Sequence, residues 1–277
     1  MYKGANCKEV DDLINNHLTK KILRYTVQLY HQEGKTFKPY GSGILVKTDK
    51  DYFVFTASHV IGEEEYVHIR IGMKCWLALG GDINYTDIEK SNGLDLSFVK
   101  LQKNLVSILE KTYSFLEISK ISTHNQQLTD GTNYFVLGFP EKNYSVENGV
   151  VNTGASCFLL RASNDKPYTY YKVDKKNYFF VNLNGKMTDL STKEKVKIDS
   201  KLYGMSGCGL WFVLYYYDRT KCRYGIDYRL IGIVTDIKKG KYFCLMANRI
   251  HHILQGLSKY DIYFREKKAE YVYEYLE

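Results

Sequence analysis

The chain is short of the features that mark several large classes of protein. It holds six cysteines (Cys7, Cys75, Cys157, Cys208, Cys222 and Cys244), and none falls in a C-x-x-C pair or a metal-ligand spacing. That pattern predicts no metal site, and nothing else in the sequence calls for a cofactor. No apolar run approaches the length needed to cross a bilayer. The opening residues, Met1 to Cys7, lack the apolar core of a secretory signal. Together these absences predict a cytoplasmic protein with no membrane partner. Internal repeats and low-complexity segments are missing as well, so solenoid and disordered-linker architectures are not expected.

What is present begins with charge. The formal net charge is +8 over 277 residues. Lysines gather at Lys193-Glu194-Lys195-Val196-Lys197, at Lys238-Lys239-Gly240-Lys241 and at Lys267-Lys268, and 26 tyrosines are available to stack on bases. The lysine runs are short or interrupted by acids, however, and no nucleic-acid-binding module accompanies them. The reading therefore disfavours nucleic acid and leaves an acidic protein partner as an equal fit to the charge.

Three short motifs carry the chemistry: Thr56-Ala57-Ser58-His59, Asp95-Leu96-Ser97 and Gly204-Met205-Ser206-Gly207. A serine hydroxyl is a poor nucleophile until a base takes its proton, and the base needs a third group to fix its tautomer and orientation. His59, Asp95 and Ser206 are candidates for those three roles. Gly41–Lys47 and Tyr52–Ala57 read as strands around the polar turn Thr48-Asp49-Lys50-Asp51, which puts His59 just past a strand end. Leu94–Leu101 reads as a further alternating strand. Gly204 and Gly207 bracket the serine, and a tight bend there would aim the N–H groups of Gly204 and Ser206 at an oxyanion. Asp82 and Asp87 are rivals to Asp95, although neither opens an alternating apolar strand. His17, His31, His68 and His124 lack companions at ligand spacing, and His251-His252 are adjacent on a helix, where neighbouring side chains diverge.

The order His…Asp…Ser, with these flanks, resembles the trypsin-like (chymotrypsin-fold) serine peptidases, in particular their divergent bacterial intracellular or stand-alone members. The likeness runs over roughly residues 24 to 255. It includes Tyr134–Pro140, which looks like the strand and corner opening a second barrel, and Leu230–Thr235, which looks like the strand lining the substrate cleft. The resemblance implies an all-β, chymotrypsin-like double β-barrel of two six-stranded Greek-key barrels, with an N-terminal helix and a C-terminal helix. Residues 1–23 would be the N-terminal helical segment, with Val10, Leu13, Ile14, Leu18 and Ile22 near helical spacing. The first barrel would span 24–118, a linker 119–131, the second barrel and C-terminal helix 132–260, and an extension 261–277. Tyr168–Val173 and Tyr178–Leu183 are rich in strand formers.

The resemblance also implies roles. His59 would be general base and then acid, Asp95 its orienting partner, Ser206 the nucleophile, and the amides of Gly204 and Ser206 the oxyanion hole. Ser200, six residues before the serine, would floor the primary pocket. Tyr203, Thr235, Asp236 and Ile237 would line it. A serine at the floor does not select a basic side chain, although Asp199 would if the register slipped by one. Ile237 would narrow the slot toward small or medium apolar residues.

Departures from the family are equally informative. Met205 stands where secreted animal members have an aspartate that pairs with a new amino terminus, and no activation sequence lies in Gln32–Phe37. Val60 and Leu202 occupy positions where secreted relatives carry cysteines, so the thiols are expected to be reduced. Cys208 brings a thiol beside the nucleophile, with the ordinary role of a small buried hydrophobe. The expected activity is that of a serine endopeptidase acting on a protein or peptide substrate. A regulatory protein partner, engaging residues 8–22 or the tail after Asp261, would gate it in a bacterial stress or defence pathway. The alternative is a catalytically silent chymotrypsin-fold module that binds a peptide or protein in its cleft.

Overall fold

The computed structural model describes residues 7–62, 67–72, 75–86, 93–123, 133–147, 150–183, 186–197, 202–264 and 274–276. The chain is mostly β, built on antiparallel sheets, one of them curled into a half-barrel. The first sheet is made from β1 (Thr26–Glu33), β2 (Thr36–Lys47), β3 (Tyr52–Thr56), β4 (His68–Ile71), β5 (Cys75–Ala78), β6 (Gly81–Tyr85), β7 (Ser97–Leu101) and β8 (Leu116–Glu117). Its order is β5-β4-β1-β2-β3-β7-β6, with β8 added parallel to β2. The two outermost strands, β5 and β6, are neighbours in the chain, joined only by Leu79 and Gly80.

The remaining strands are β9 (Asn133–Gly138), β10 (Ser145–Glu147), β11 (Val150–Asn152), β12 (Ser156–Leu160), β13 (Tyr178–Asn182), β14 (Lys186–Thr188), β15 (Lys195–Lys197), β16 (Gly209–Asp218), β17 (Arg223–Lys238), β18 (Cys244–Arg249) and β19 (Glu274–Tyr275). The second sheet has the order β12-β9-β16-β17-β18-β13, with β19 on β17, while β10-β11 and β14-β15 are separate hairpins. Its edges also approach one another: Ala162 bridges Val181, Ser163 N–H donates to the Phe180 carbonyl at 2.9 Å, and Asn182 N–H donates to Arg161.

Side-chain alternation explains how both sheets are buried on two faces. Along β2, Ile44 and Val46 enter one apolar cluster and Leu45 another. Along β3, Phe53 and Phe55 divide from Val54 in the same way. In the second sheet Phe135 and Leu137 divide from Tyr134 and Val136. Period-two strands thus feed a core inside each sheet and a third core between them. The shared core includes Trp211, Tyr228 and Leu230 from the second sheet.

Helix α1 (Cys7–Leu23) contributes Ile14, Leu18 and Ile22 to the shared core, as their spacing predicts, whereas Leu13 faces solvent. Helix α2 (Ser58–Ile61) is a single turn after β3, and α3 (Lys103–Leu109) follows β7. The strand expected over Tyr168–Val173 is instead helix α4 (Lys166–Tyr171). Pro167 suits a first helical turn, and the Tyr168 hydroxyl turns inward to accept the Phe180 N–H at 3.0 Å. Lys172, with φ 54°, then ends the helix in the left-handed region. Helix α5 (His251–Gly256) continues as a 3₁₀ turn through Tyr260.

The extension returns to the body at residues 274–276. Glu274 and Tyr275 pair with Ile226 and Gly225, and Leu276 N–H donates to the Tyr224 carbonyl. The Glu274 carboxylate gathers His17 (3.2 Å) and Lys21 (3.1 Å) from α1. Beneath it, fully buried Asp227 receives Lys120 at 2.8 Å and Arg229 at 2.9 Å, tying the segment after β8 to the second sheet. No helix among the described residues is long and apolar enough to cross a membrane.

Candidate active site

The end of β3 and the start of β7 set the first half of the site. His59 sits in α2, and its backbone N–H donates to Asp95 Oδ1 at 3.0 Å while its ring Nδ1 lies 2.5 Å from Asp95 Oδ2. A carboxylate only accepts, so Nδ1 carries the proton and Nε2 of the neutral ring is left as an acceptor. Asp95 is nearly buried and the His59 side chain is 39% exposed, so the imidazole faces solvent and the carboxylate faces protein. Asp82, a rival by sequence, lies instead in β6 against Tyr260, and Asp87 falls outside the described residues.

Polar side chains clamp the Asp95 turn. Ser58 Oγ donates to the Leu96 carbonyl at 2.5 Å. Thr86 Oγ1 donates to the Leu94 carbonyl at 2.7 Å and accepts the Leu96 N–H at 2.9 Å. From the second sheet, Asn248 of β18 accepts the Asp95 N–H on its Oδ1 at 3.3 Å. Asn248 is fully buried and, among the described residues, leaves its own Nδ2 without a partner. Burial raises the Tyr178 hydroxyl pKa, and the nearby Asp95 charge adds to the rise. Asn248, Tyr178 and Thr86 carry no motif. Their roles arise from contacts between distant parts of the chain, and no signal in the sequence marks them.

The second half of the site is the turn Gly204–Gly207. Gly204 (φ 92°) and Gly207 (φ 86°) both adopt the left-handed backbone that side chains resist. Space forbids a side chain at Gly207 as well, since a Cβ would lie 2.0 Å from the Ser42 carbonyl oxygen and 2.2 Å from Thr56 Oγ1. The turn therefore rests directly on β2 and on the end of β3, three residues before His59. Ser42 pins it there: its N–H donates to the Ser206 carbonyl at 2.8 Å and its Oγ donates to the Gly204 carbonyl at 2.8 Å. The same Oγ accepts the Phe139 N–H, and Thr56 Oγ1 donates to the Ser42 carbonyl. A small residue between two glycines inside a strand is the sequence signal for such close backbone approach.

Two backbone features bear on anion binding. The Tyr203 carbonyl accepts the Glu141 N–H at 2.6 Å, and the amides of Met205, Gly207 and Cys208 donate to Leu202, Val234 and Met205. Among the described residues the amides of Gly204 and Ser206 donate to no other group, and neither residue is fully buried. Met205 between them is fully buried in the second-sheet core, so an apolar side chain anchors the turn. Cys208 is likewise buried, and burial pushes its thiol pKa far up, which makes it a packing residue.

Ser206 Oγ donates to the Thr235 carbonyl at 3.3 Å, and among the described residues no hydrogen bond joins it to His59. Thr235 is buried at a bulge in β17, with its Oγ1 unpartnered. Asp236 is exposed and Ile237 is half-buried against the second-sheet core; the Asp236 carboxylate accepts the Ile237 N–H and contacts Lys238 at 2.5 Å. Tyr203 is 66% exposed beside the turn. Ser200, the expected pocket floor, lies outside the described residues together with Asp199.

Of the other candidate histidines, His124 lies outside the described residues, and His31 and His252 have partners of their own. His31 stacks on Tyr40 and bonds the Val60 carbonyl, and His252 bonds Asn177 with its ring 3.9 Å from that of His251. Among the described residues no three His, Cys, Asp or Glu side chains group as metal ligands, and Cys75, Cys157, Cys208, Cys222 and Cys244 are free thiols. No protein-family model matches the chain, and no curated protein matches it in sequence, so the account of the site stands on its own geometry.

Proposed function

We propose that the chain is a serine endopeptidase with a chymotrypsin-like double-barrel architecture, its first barrel over 24–118 and its second over 132–260. The short Leu79-Gly80 link between the edge strands β5 and β6, and the bridge from the residues after β12 to β13, support two closed barrels. The observation that carries the functional reading is the convergence of two independent halves. His59 is doubly held by Asp95, and Ser206 is held against the end of the same strand by a turn in which two amides donate to no other described residue.

In the proposed reaction a peptide carbonyl enters beside Ser206. The Ser206 hydroxyl swings from the Thr235 carbonyl to His59 Nε2 and attacks the carbonyl carbon as Nε2 takes its proton. Asp95 holds the imidazolium that results. The oxyanion is received by the N–H groups of Gly204 and Ser206. The imidazolium then gives its proton to the departing amine as the C–N bond breaks, leaving an acyl-Ser206. Water, deprotonated through His59, attacks the acyl carbon and restores the serine. Catalytic hydrogen bonds that are long without substrate and tighten with it are usual in such sites.

One observation favours a second reading, a silent peptide-binding module: the hydroxyl of Ser206 bonds Thr235 and not His59. The readings separate on one assay. Hydrolysis of an unfolded protein substrate that is lost in Ser206→Ala supports the peptidase, whereas equal residual cleavage by Ser206→Ala overturns it. The same proposal places the chain in the cytoplasm, where its free thiols stay reduced.

A further inference from the structure

The strand that carries Thr235 outruns its neighbour. β16 pairs with β17 as far as Ile233, and the backbones of Gly207 and Cys208 extend the pairing to Val234. From Thr235 to Lys238 only the β18 side is paired among the described residues. An open edge therefore starts at the carbonyl that holds Ser206 Oγ and leads away from it toward the turn Lys238-Lys239-Gly240-Lys241. Among the described residues the edge amide of Ile237 is met only by the chain's own Asp236 carboxylate, which also takes Lys238.

Beyond Lys238 the charges are uncompensated. Lys239 and Lys241 are exposed, and among the described residues neither pairs with a carboxylate. Each is held over an aromatic face, Lys239 over Tyr203 at 5.8 Å and Lys241 over Tyr242 at 5.7 Å. The turn is fixed from behind, because the Tyr171 hydroxyl donates to the Tyr242 carbonyl at 2.6 Å and the Tyr170 ring packs on Tyr242. Lys239 thus lies over Tyr203, the residue before the Ser206 turn, and Lys241 follows two residues on along the same rim.

We infer that this rim is a subsite for carboxylate side chains, so that the substrate class is peptide segments with acidic residues on the amino-terminal side of the cleaved bond. The inference rests on the peptidase reading above for its direction. A strand that adds antiparallel to Thr235–Lys238 has its carboxyl-directed end at Ser206 and its earlier residues at the lysine turn. At about 3.3 Å per residue, the four-residue span from Thr235 to Lys239 places the acidic positions roughly three to five residues before the cleaved bond. Exposed ion pairs are individually weak, and two together give a preference of about five- to tenfold, reduced by salt.

The test is fluorescence anisotropy with the full chain carrying Ser206→Ala and a fluorescein-labelled peptide of alternating Glu and Ala, against the same peptide with Gln for Glu. The expected result is about five- to tenfold tighter binding of the Glu peptide at low salt. That preference should fall stepwise in Lys239→Gln and in Lys239→Gln/Lys241→Gln, and reverse toward a Lys-containing peptide in Lys239→Glu/Lys241→Glu. Equal binding of the Glu and Gln peptides, or a preference that survives both lysine substitutions, overturns the inference. Fluorophosphonate labelling of the wild-type chain reports the peptidase reading separately. A chain that prefers the Glu peptide but never labels keeps the subsite and loses the catalysis, and the converse result loses only the subsite.

Discussion

Asn248→Ala separates the account from one in which the two halves of the site merely happen to face each other. Asn248 belongs to the sheet that carries Ser206, yet it accepts the amide of Asp95, which belongs to the half that carries His59. Truncation removes the Asn248 Oδ1 that accepts the Asp95 N–H. A buried group left unpaired costs about 1–3 kcal/mol, and removal of the orphaned Nδ2 returns about 1 kcal/mol. The net loss is about 1 kcal/mol, read as a Tm lower by roughly 2–4 °C for a chain of this size. If the same contact sets the Asp95 carboxylate under His59, acylation of Ser206 slows about tenfold, equivalent to ~1.4 kcal/mol in the barrier. Asn248→Asp adds a readout that packing alone would not move. A second carboxylate beside Asp95 raises the pKa of one of the pair, so the acid limb of the acylation–pH profile shifts to higher pH. The assay is stopped-time labelling with a fluorophosphonate across pH, alongside thermal unfolding. A variant that labels at the wild-type rate while its Tm falls would reduce Asn248 to a packing residue. A variant unchanged in both would refute the reasoning entirely.

Three further outcomes follow from the same contacts. Gly207→Ala forces a Cβ into the Ser42 carbonyl oxygen at a positive φ, so it should lower stability by about 1–3 kcal/mol and abolish labelling, as read by thermal unfolding and adduct formation. Met205→Ala empties a fully buried site in the second-sheet core and should cost about 2–5 kcal/mol in urea unfolding; a loss below ~1 kcal/mol would show that the turn does not depend on that anchor. The Glu274 carboxyl is held down to about 2, chiefly by its hydrogen bond from His17 and then by Lys21. Its folded pKa lies below its ordinary 4.5, so the stability it adds is complete above that value and is lost as pH falls from about 4.5 toward 2. Acid unfolding followed by tryptophan fluorescence should therefore be shallower over that window in Glu274→Gln, and an identical acid limb would contradict the assignment.

The parts of the fold visible in the sequence are those governed by local periodicity. Ile14, Leu18 and Ile22 lie at helical spacing and are buried. Ile44–Val46 and Phe53–Phe55 read as strands and are strands, because each residue has a core waiting on its own face. Tyr168–Tyr171 misleads because aromatic residues favour strands on average, whereas Pro167 and the inward hydrogen bond of Tyr168 fix a helix. His59 and Asp95 could be paired from motif context, and they do meet. The supports of the site could not be read this way. Ser42 reaches Gly204 across 162 positions and Asn248 reaches Asp95 across 153, and neither contact leaves a local pattern in the chain. The path of the tail was equally open, since only pairing with β17 distinguishes a cap from a free end.

The central claim, that Ser206 is a nucleophile served by His59, is tested most directly by the mass of the fluorophosphonate adduct, mapped to a single residue. The account predicts one adduct, on Ser206, that is lost in Ser206→Ala and strongly suppressed in His59→Ala. An unmodified wild-type chain, or an adduct on Ser206 that forms equally fast without His59, would contradict it.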